Sequence, residues 1–236
     1  ASLYSAMGDN DHARPLYEQA LAIDSKVLGD EHPDTATLMN NLADLSRSVG
    51  EHARALPLYE KSLAIRRKVL GSEHPDTAES LSNLSGLYAS SGDYSRALPL
   101  AEQALAITKK ALGNEHPDTT IRLNNLANLY KTVGKHARAL PLFEQVLAVR
   151  RQALGDAHPA TVVALNNLAL AYAAVGESSR ARELLLAGAA AERASLERQL
   201  WSFGDERIRS FLSTRAPSVD LLVSLPQAGP QRADEA

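Results

Sequence analysis

Apolar residues recur at intervals of three and four along most of the chain, the spacing that places them on one face of an α-helix. Between Pro75 and Gly92 the apolar stripe consists of Leu81, Leu84, Leu87 and Tyr88. A second stripe, between about Tyr94 and Leu112, consists of Ala97, Leu100, Ala104, Leu105 and Ile107. Proline suits the first turn of a helix and glycine suits its end, so the pattern predicts a helix hairpin. Pro99 lies early in the second helix, where we expect a mild kink at most.

The hairpin pattern repeats along the chain with a period of 42 residues. Glu-His-Pro begins at Glu31, Glu73 and Glu115, and Ala-His-Pro follows at Ala157. Glycines share the same step, at Gly8, Gly50, Gly92, Gly134 and Gly176. A single hairpin cannot bury both of its faces, whereas stacked hairpins share a continuous core. The sequence therefore predicts an all-α fold, a right-handed α-solenoid of helix hairpins with a C-terminal helical extension.

At these positions the chain resembles the tetratricopeptide (TPR) repeat, in the 42-residue form found in kinesin light chains and many bacterial multidomain proteins. The resemblance rests on Asn-Asn-Leu-Ala (at Asn40, Asn124 and Asn166), on a recurring tyrosine, and on the linker Leu-Gly-x-x-His-Pro. The tyrosines are Tyr88, Tyr130 and Tyr172. Ser46 replaces this tyrosine in one unit, and Ala101 stands where other units have Tyr59 and Phe143.

The repeat register divides the chain into three parts. Residues 1–190 form the repeat array, whose first repeat is truncated because residues 1–7 supply only half of a helix before Gly8. We therefore expect further repeats or another domain upstream. Residues 191–225 are predicted to be capping or connector helices, with breaks near Phe203 and Pro217, and residues 226–236 a flexible tail.

The segment after the array resembles the helical connector of bacterial CHAT proteins, in which a caspase-like protease follows the TPR array. The resemblance rests on Ala191-Glu192-Arg193, on residues 207–212 and on residues 220–225. It implies that the chain is the sensing or regulatory part of a larger protein. A simpler interpretation is a capping helix and linker that shield the last repeat, and the two are compatible.

Composition excludes several classes of function. The chain has no cysteine, so it contains no disulfide, thiolate zinc site or cysteine nucleophile. A net charge of −3 gives no electrostatic reason to expect nucleic acid or a membrane surface as a partner. Neither a run of about 18 apolar residues nor a signal-peptide pattern occurs, and we expect a cytoplasmic protein.

The histidines of the Glu-His-Pro units invite a metal or catalytic interpretation. Successive hairpins lie about 10 Å apart, whereas the ligands of one zinc ion lie about 2 Å from it, so these histidines cannot converge on one ion. Equal copies also argue against an active site. We predict that each histidine orients the turn before its Pro-initiated helix, and we expect no metal, no cofactor and no catalysis.

Polar residues on the first helix of each unit are the candidate binding residues. The resemblance to TPR proteins implies that this helix face lines a concave groove, where amides can hold a peptide backbone. The candidates are Asn40, Asn41, Asp44, Arg47, Asn83, Asn124, Asn125, Asn128, Lys131, Asn166 and Asn167. Arg47 and Lys131 are further predicted to contact a carboxylate. The alternative, that these asparagines only fix neighbouring helices or solvate the face, remains open.

We therefore expect a non-catalytic interaction module that binds a protein or peptide. Two other interpretations remain open, a structural or self-assembling scaffold and the repeat region of a nucleotide-switched signalling protein. The truncated first repeat leaves an apolar edge, so weak self-association is also expected.

Overall fold

The computed structural model of the 236-residue chain describes the backbone of residues 1–201 and the side chains of residues 1–196. Ten helices and no strand occupy this part of the chain, which confirms the all-α prediction. In chain order, α1 to α10 span Ser2–Ala6, Asn10–Val27, Pro33–Ser48, His52–Val69, Pro75–Ser90, Tyr94–Leu112, Pro117–Thr132, His136–Leu154, Pro159–Ala174 and Ser178–Trp201.

The helices pack as a stack of hairpins. Helix α3 packs against α4, α5 against α6, α7 against α8 and α9 against α10, and each second helix also contacts the first helix of the next hairpin. This order of contacts is that of a helical-repeat solenoid, as the period predicts. The recurring small residues Ala55, Ala97 and Ala139 are fully buried at the helix contacts, which lets the backbones approach closely.

Each linker histidine caps the helix that follows it. The Nδ1 atom of His74 accepts a hydrogen bond from the backbone N–H of Asp76, 3.1 Å away, and Pro75 occupies the first helical position. His32, His116 and His158 do the same for α3, α7 and α9. A cap of this kind satisfies one of the unpaired N–H groups at a helix start, so the predicted local role of these histidines is confirmed.

The repeated glycines end the first helices. Gly92 has φ 78°, its N–H donates to the carbonyl of Ala89, and the N–H of Asp93 donates to the carbonyl of Tyr88. These two bonds form a Schellman motif, which requires a left-handed residue at the position of Gly92. The second helices pass without interruption through their prolines, Pro57, Pro99 and Pro141, all of which face solvent.

A buried arginine joins three helices. Arg66 lies on α4 and is 2% exposed. Its guanidinium donates to the Thr37 hydroxyl on α3. It also donates to three acceptors on α5, which are the Asp76 carbonyl, the Glu79 carboxylate and the Ser80 hydroxyl. A buried charge is tolerated only where it is paired and hydrogen-bonded. Arg66 therefore fixes the packing of one hairpin on the next.

Helix α10 runs unbroken to Trp201, so the predicted boundary between the array and the connector at residue 190 falls inside it. The part of the predicted connector that follows the break near Phe203 and the predicted flexible tail 226–236 lie outside the described residues. Up to Trp201, no helix combines the length and the apolar character needed to cross a membrane.

Candidate functional site

The first helices α3, α5, α7 and α9 present a shared surface, which we call the first-helix face. At one position of this face every repeat has an asparagine, and these side chains are exposed or half-buried: Asn41, Asn83, Asn125 and Asn167. The histidine caps and the glycine stops fix the start and the end of each first helix. Each asparagine therefore lies at the same place in its helix, and the four recur at intervals of one repeat. We call them the asparagine ladder.

The preceding asparagine of each repeat has a different environment. Asn40 is only 2% exposed, and its Nδ2 lies 3.4 Å from the carboxylate of Asp44 in the same helix. Its Oδ1 and that of Asn124 are buried. The Oδ1 of Asn166 lies against α10, 3.2 Å from where a β-carbon on Gly188 would be. The prediction that Asn40 lines the groove is therefore wrong, because packing between helices covers its side chain.

Asp44 is the centre of a hydrogen-bond network between two repeats. It accepts from the Tyr59 hydroxyl (2.6 Å), from Asn83 Nδ2 (3.3 Å) and from Arg47 (3.3 Å). Burial, reinforced by the Asp44 carboxylate, raises the pKa of the Tyr59 hydroxyl above its usual range. Arg47 also donates to that hydroxyl, at 3.3 Å. Both Asp44 and Arg47 are thus engaged within the protein, and Arg47 is not a free cation for a ligand.

Lys131, the second predicted carboxylate partner, has a weaker internal interaction. Its Nζ lies 5.9 Å from the centroid of the Phe143 ring, a cation–π distance. Such a contact at an accessible site contributes only about 0.5–1 kcal/mol. Lys131 is partly exposed as a residue, so its ammonium group remains able to reach a ligand.

A cavity of about 390 Å³ opens on the first-helix face between α5, α6 and α7. Four of the predicted residues line it: Arg47, Asn83, Asn125 and Asn128. The other lining residues are Ser82, Ser85, Gly86, Ala89, Tyr94, Ala101, Arg122, Leu129 and Thr132. Four other predicted residues do not line this cavity: Asn41, Lys131, Asn166 and Asn167.

The cavity exists because one repeat carries small side chains where its neighbours carry large ones. Ala101 stands at the position of Tyr59 and Phe143, both fully buried, and so fills far less of the space between helices. Gly86 and Ala89 likewise stand one period after Asp44 and Arg47. The missing side-chain volume at these three positions is what leaves the cavity open.

Arg122 is a site residue that the sequence analysis missed. It stands on α7 at the repeat position of Leu38, Ser80 and Ala164, and it lines the cavity. Burial lowers the pKa of its guanidinium, against the opposing effect of the carboxylates of Glu79 and Asp118. The sequence does hold a sign of Arg122, because the equivalent residues of the other repeats are uncharged. A search for residues that recur in every repeat does not find such an exception.

The end of the first-helix face is apolar. Val163 and Leu170 on α9 are 52% and 56% exposed, and the neighbouring Ala173 and Ala174 are also exposed. Leu170 stands at the position of Asp44 and Asn128, so the face changes from polar to apolar along the array.

The linker histidines do not form a metal site. Among residues 1–196, no group of three or more histidine, aspartate or glutamate side chains is placed to hold one ion. The linker histidines instead use Nδ1 for helix caps.

A family model described as tetratricopeptide repeat matches residues 1–68, 45–110, 97–152 and 119–191 of this chain. The chain has 34% sequence identity to a protein of known crystal structure, the nearly identical TPR-like repeats of a provisionally assigned kinesin light chain from Podosopora anserina. That comparison covers 82% of this chain and 92% of the other, with a TM-score of 0.71.

Two more distant structures share the fold. BtubC (BKLC) from P. vanneervenii is 22% identical, with 100% of this chain and 82% of that chain covered and a TM-score of 0.71. MamA is 16% identical, with 82% and 95% covered and a TM-score of 0.58. None of the curated proteins compared with this chain matches it.

Proposed function

Because the chain belongs to the tetratricopeptide-repeat family, whose repeats mediate protein–protein interaction, we propose that it binds an extended peptide segment on its first-helix face. The observation that carries this proposal is the asparagine ladder, whose side chains are exposed or half-buried at the same place in four successive repeats. Asn83 donates one N–H to Asp44, which leaves its second N–H and its Oδ1 for a ligand.

The spacing of the ladder fits an extended peptide. Stacked helices lie about 10 Å apart, and an extended chain advances about 3.3 Å per residue, so one amide would meet about every third residue. An amide both donates and accepts hydrogen bonds, which matches the N–H and C=O groups of a peptide backbone. Contacts of this kind hold the backbone and select little among side chains.

The proposed role is binding without catalysis. A catalytic site needs one special constellation of acid, base or nucleophile. The acidic and histidine side chains that recur in this chain are instead spread over four linkers, where each histidine caps its own helix.

The test uses a phage-displayed library of random peptides of about 12 residues, long enough to span about 40 Å when extended. Peptides selected on the whole chain are synthesised, and their affinities are measured by fluorescence anisotropy. In the test variant, Asn83, Asn125 and Asn167 are all replaced by Ala. Each lost amide removes about 0.5–1.5 kcal/mol, so the triple variant should bind at least about tenfold more weakly.

A matched control removes three amides from the other side of the array. Gln19, Gln103 and Gln145 occupy one repeat position on second helices and are exposed. Their replacement by Ala should leave peptide affinity unchanged, and circular dichroism should show native helicity in both variants. Equal affinity of the wild-type and ladder variants, with helicity intact, would contradict the proposal.

Self-association is a second candidate function, favoured by apolar side chains at the first repeat. Leu3, Met7 and Ile23 on and next to α1 and α2 are all more than half exposed. Light scattering of the wild-type chain and of a Leu3→Ser, Met7→Ser, Ile23→Ser variant separates the cases. A concentration-dependent dimer that this variant loses would support self-association, whereas a monomer in both would exclude it.

We also propose that the chain is the regulatory part of a larger, cytoplasmic bacterial protein of the CHAT type. Support comes from the resemblance of residues 191–193, 207–212 and 220–225 to the connector of such proteins. The coding sequence that follows residue 236 tests this proposal, because it should encode a caspase-like domain with a histidine and a cysteine. A stop codon at that point would contradict it.

A further inference from the structure

A lysine bridges the open end of two of the hairpins. Near the end of α4, Lys68 donates to both carboxylate oxygens of Glu31, which lies in the linker before α3, and each is 2.6 Å away. Lys110 near the end of α6 makes the same bond to Glu73 before α5, at 2.7 Å. Each lysine crosses the gap between the start of a first helix and the end of its second helix. The chain itself therefore shows that a linear side chain with a terminal ammonium group fits across this gap.

The next hairpin, formed by α7 and α8, keeps the carboxylate and lacks the lysine. Glu115 stands one period after Glu73, but the residue one period after Lys110 is Gln152. The glutamine side chain is shorter by one bond and carries no charge. Within the described residues, no hydrogen bond or ion pair holds the carboxylate of Glu115.

A cavity of about 290 Å³ lies at this place, and we call it the linker cavity. Glu115 and Gln152 line it together with Val149. In the two preceding repeats the position of Val149 holds the larger, buried side chains of Ile65 and Ile107. The changes from lysine to glutamine and from isoleucine to valine both remove side-chain volume here, which accounts for the opening.

The lining of the linker cavity suits an ammonium group on an alkyl stem. Its apolar part consists of Leu123, Ala148 and Val149, and its polar part of Asn114, Glu115, Gln145 and Gln152. None of these lining residues is basic, and each polar one offers a side-chain oxygen to the three N–H donors of an ammonium group. Lys109 donates to the Gln145 oxygen at 3.1 Å without lining the cavity, and that oxygen has a second lone pair.

We propose that the linker cavity binds a lysine side chain of a partner protein, with the ammonium group at Glu115 and the stem against Leu123 and Val149. The incoming lysine would take the place that Lys68 and Lys110 take in their own hairpins. The linker cavity shares no lining residue with the cavity on the first-helix face. The inference therefore adds a second binding surface and does not depend on the proposed peptide binding.

The test titrates small probes into the whole chain and follows the methyl signals of Leu123 and Val149 by NMR. The first probe is Nα-acetyl-lysine N-methylamide, and the second is its norleucine analogue, which keeps the stem and lacks the ammonium group. The third is the arginine analogue, and the fourth, 1,4-diaminobutane, represents a free amine. A ligand of this size should bind with a Kd of about 1 mM.

We expect the lysine probe to bind about fivefold more tightly than the norleucine probe, as for the stronger ion pairs at accessible sites. Glu115→Gln should reduce the affinity of the lysine probe to that of norleucine. Glu73→Gln is the matched control, because Lys110 already holds that carboxylate, and it should leave the affinity unchanged.

Gln152→Lys supplies the lysine from within the chain and should abolish binding of the lysine probe. The two preceding repeats carry lysine at this position, so the substitution preserves the fold. The converse variant, Lys110→Gln with Ile107→Val, repeats both departures in the hairpin formed by α5 and α6. It should gain a second site, reported by the methyl signals of Leu81, the equivalent of Leu123.

Equal binding of the lysine and norleucine probes would overturn the inference, and so would undiminished binding to Gln152→Lys. Failure of the converse variant to gain a site would contradict the explanation of the cavity by these two positions. Tighter binding of the arginine probe would overturn the choice of lysine, and tighter binding of 1,4-diaminobutane would assign the site to a free amine instead of a partner protein. None of these results bears on peptide binding to the first-helix face.

Discussion

Ala101 and Phe143 occupy the same position in successive repeats, yet the Phe143 ring is fully buried between helices while Ala101 borders an open cavity. The two backbones are equivalent, since both residues lie in the middle of a second helix. The two positions differ in the side-chain volume that they supply to the space between first helices, and the small residues Gly86 and Ala89 add to this difference. A local departure from the repeat therefore creates the most distinctive feature of the first-helix face.

Ala101→Phe should close the cavity. Burying the added ring stabilises the fold by about 1–2 kcal/mol if it adopts the place that Phe143 takes in the next repeat. The added ring would also fill the space beside Asn83 and Asn125, where the peptide is proposed to bind, so peptide affinity should fall by about tenfold. Urea unfolding and fluorescence anisotropy measure the two effects.

The reciprocal change, Phe143→Ala, supplies the comparison for that variant. Removing a fully buried ring should cost about 3–5 kcal/mol. If Ala101→Phe destabilises the chain as well, the space beside Ala101 cannot accept the ring, and the account of the cavity is wrong.

Gly86→Ala should stabilise the chain. Gly86 lies within helix α5, and a β-carbon added there meets no atom within 4 Å. Alanine is favoured over glycine inside a helix by about 0.5–1 kcal/mol. Denaturant unfolding should therefore show a higher midpoint.

The same substitution at Gly92 should have the opposite sign. Gly92 has φ 78° in the Schellman motif, a conformation that costs an alanine about 1–2 kcal/mol. Stabilisation by Gly92→Ala would show that the helix stop does not depend on a left-handed residue.

His74→Ala should destabilise the start of α5. The Nδ1 of His74 caps the N–H of Asp76, and loss of a capping acceptor typically costs about 1 kcal/mol. His74→Asn restores an acceptor and should recover most of the loss. Equal stability of the alanine and asparagine variants, measured by urea unfolding, would argue that His74 acts by packing and not as a cap.

Asp93 should give part of the stability of α6 a pH dependence. Hydrogen bonds from Ser95 and from the Arg96 side chain and backbone lower the pKa of Asp93 from 3.8 to about 2. Because the folded pKa lies below the unfolded one, this contribution is complete above pH 3.8 and is lost as the pH falls towards 2.

Asp93→Asn isolates this effect from that of other carboxylates, since its amide can cap the helix but does not titrate. The stability advantage of the wild-type chain over this variant should shrink as the pH falls through that window. An advantage that stays constant with pH, measured by urea unfolding, would contradict the assignment.

The sequence predicts the architecture because the features that define it are local and recur. The prolines and glycines act on their own helix ends, the histidine caps reach only two residues ahead, and the apolar stripe is visible in every unit. Each of these signals is present at least four times, so agreement among copies replaces the need for long-range information.

The candidate site was less predictable because it depends on contacts between repeats. The pairing of Arg47 with Tyr59 and Asp44 cannot be read from a helix pattern, and neither can the burial of Asn40. Arg122 and the small residues near Ala101 were overlooked as site features for a different reason. They are departures from the period, and their joint effect, a cavity, appears only when the helices are packed.

The most direct test of peptide binding on the first-helix face uses the absence of cysteine from the chain, which makes a single introduced thiol unique. Asn125→Cys places it on the asparagine ladder, and Ala106→Cys places it at an exposed position of the second helix α6. The rate of maleimide labelling is measured with and without saturating amounts of a selected peptide. The account predicts that the peptide slows labelling of Asn125→Cys by about tenfold or more, in proportion to the occupied fraction, and leaves Ala106→Cys unchanged. Protection of Ala106→Cys, with Asn125→Cys still reacting at its free rate, would contradict it.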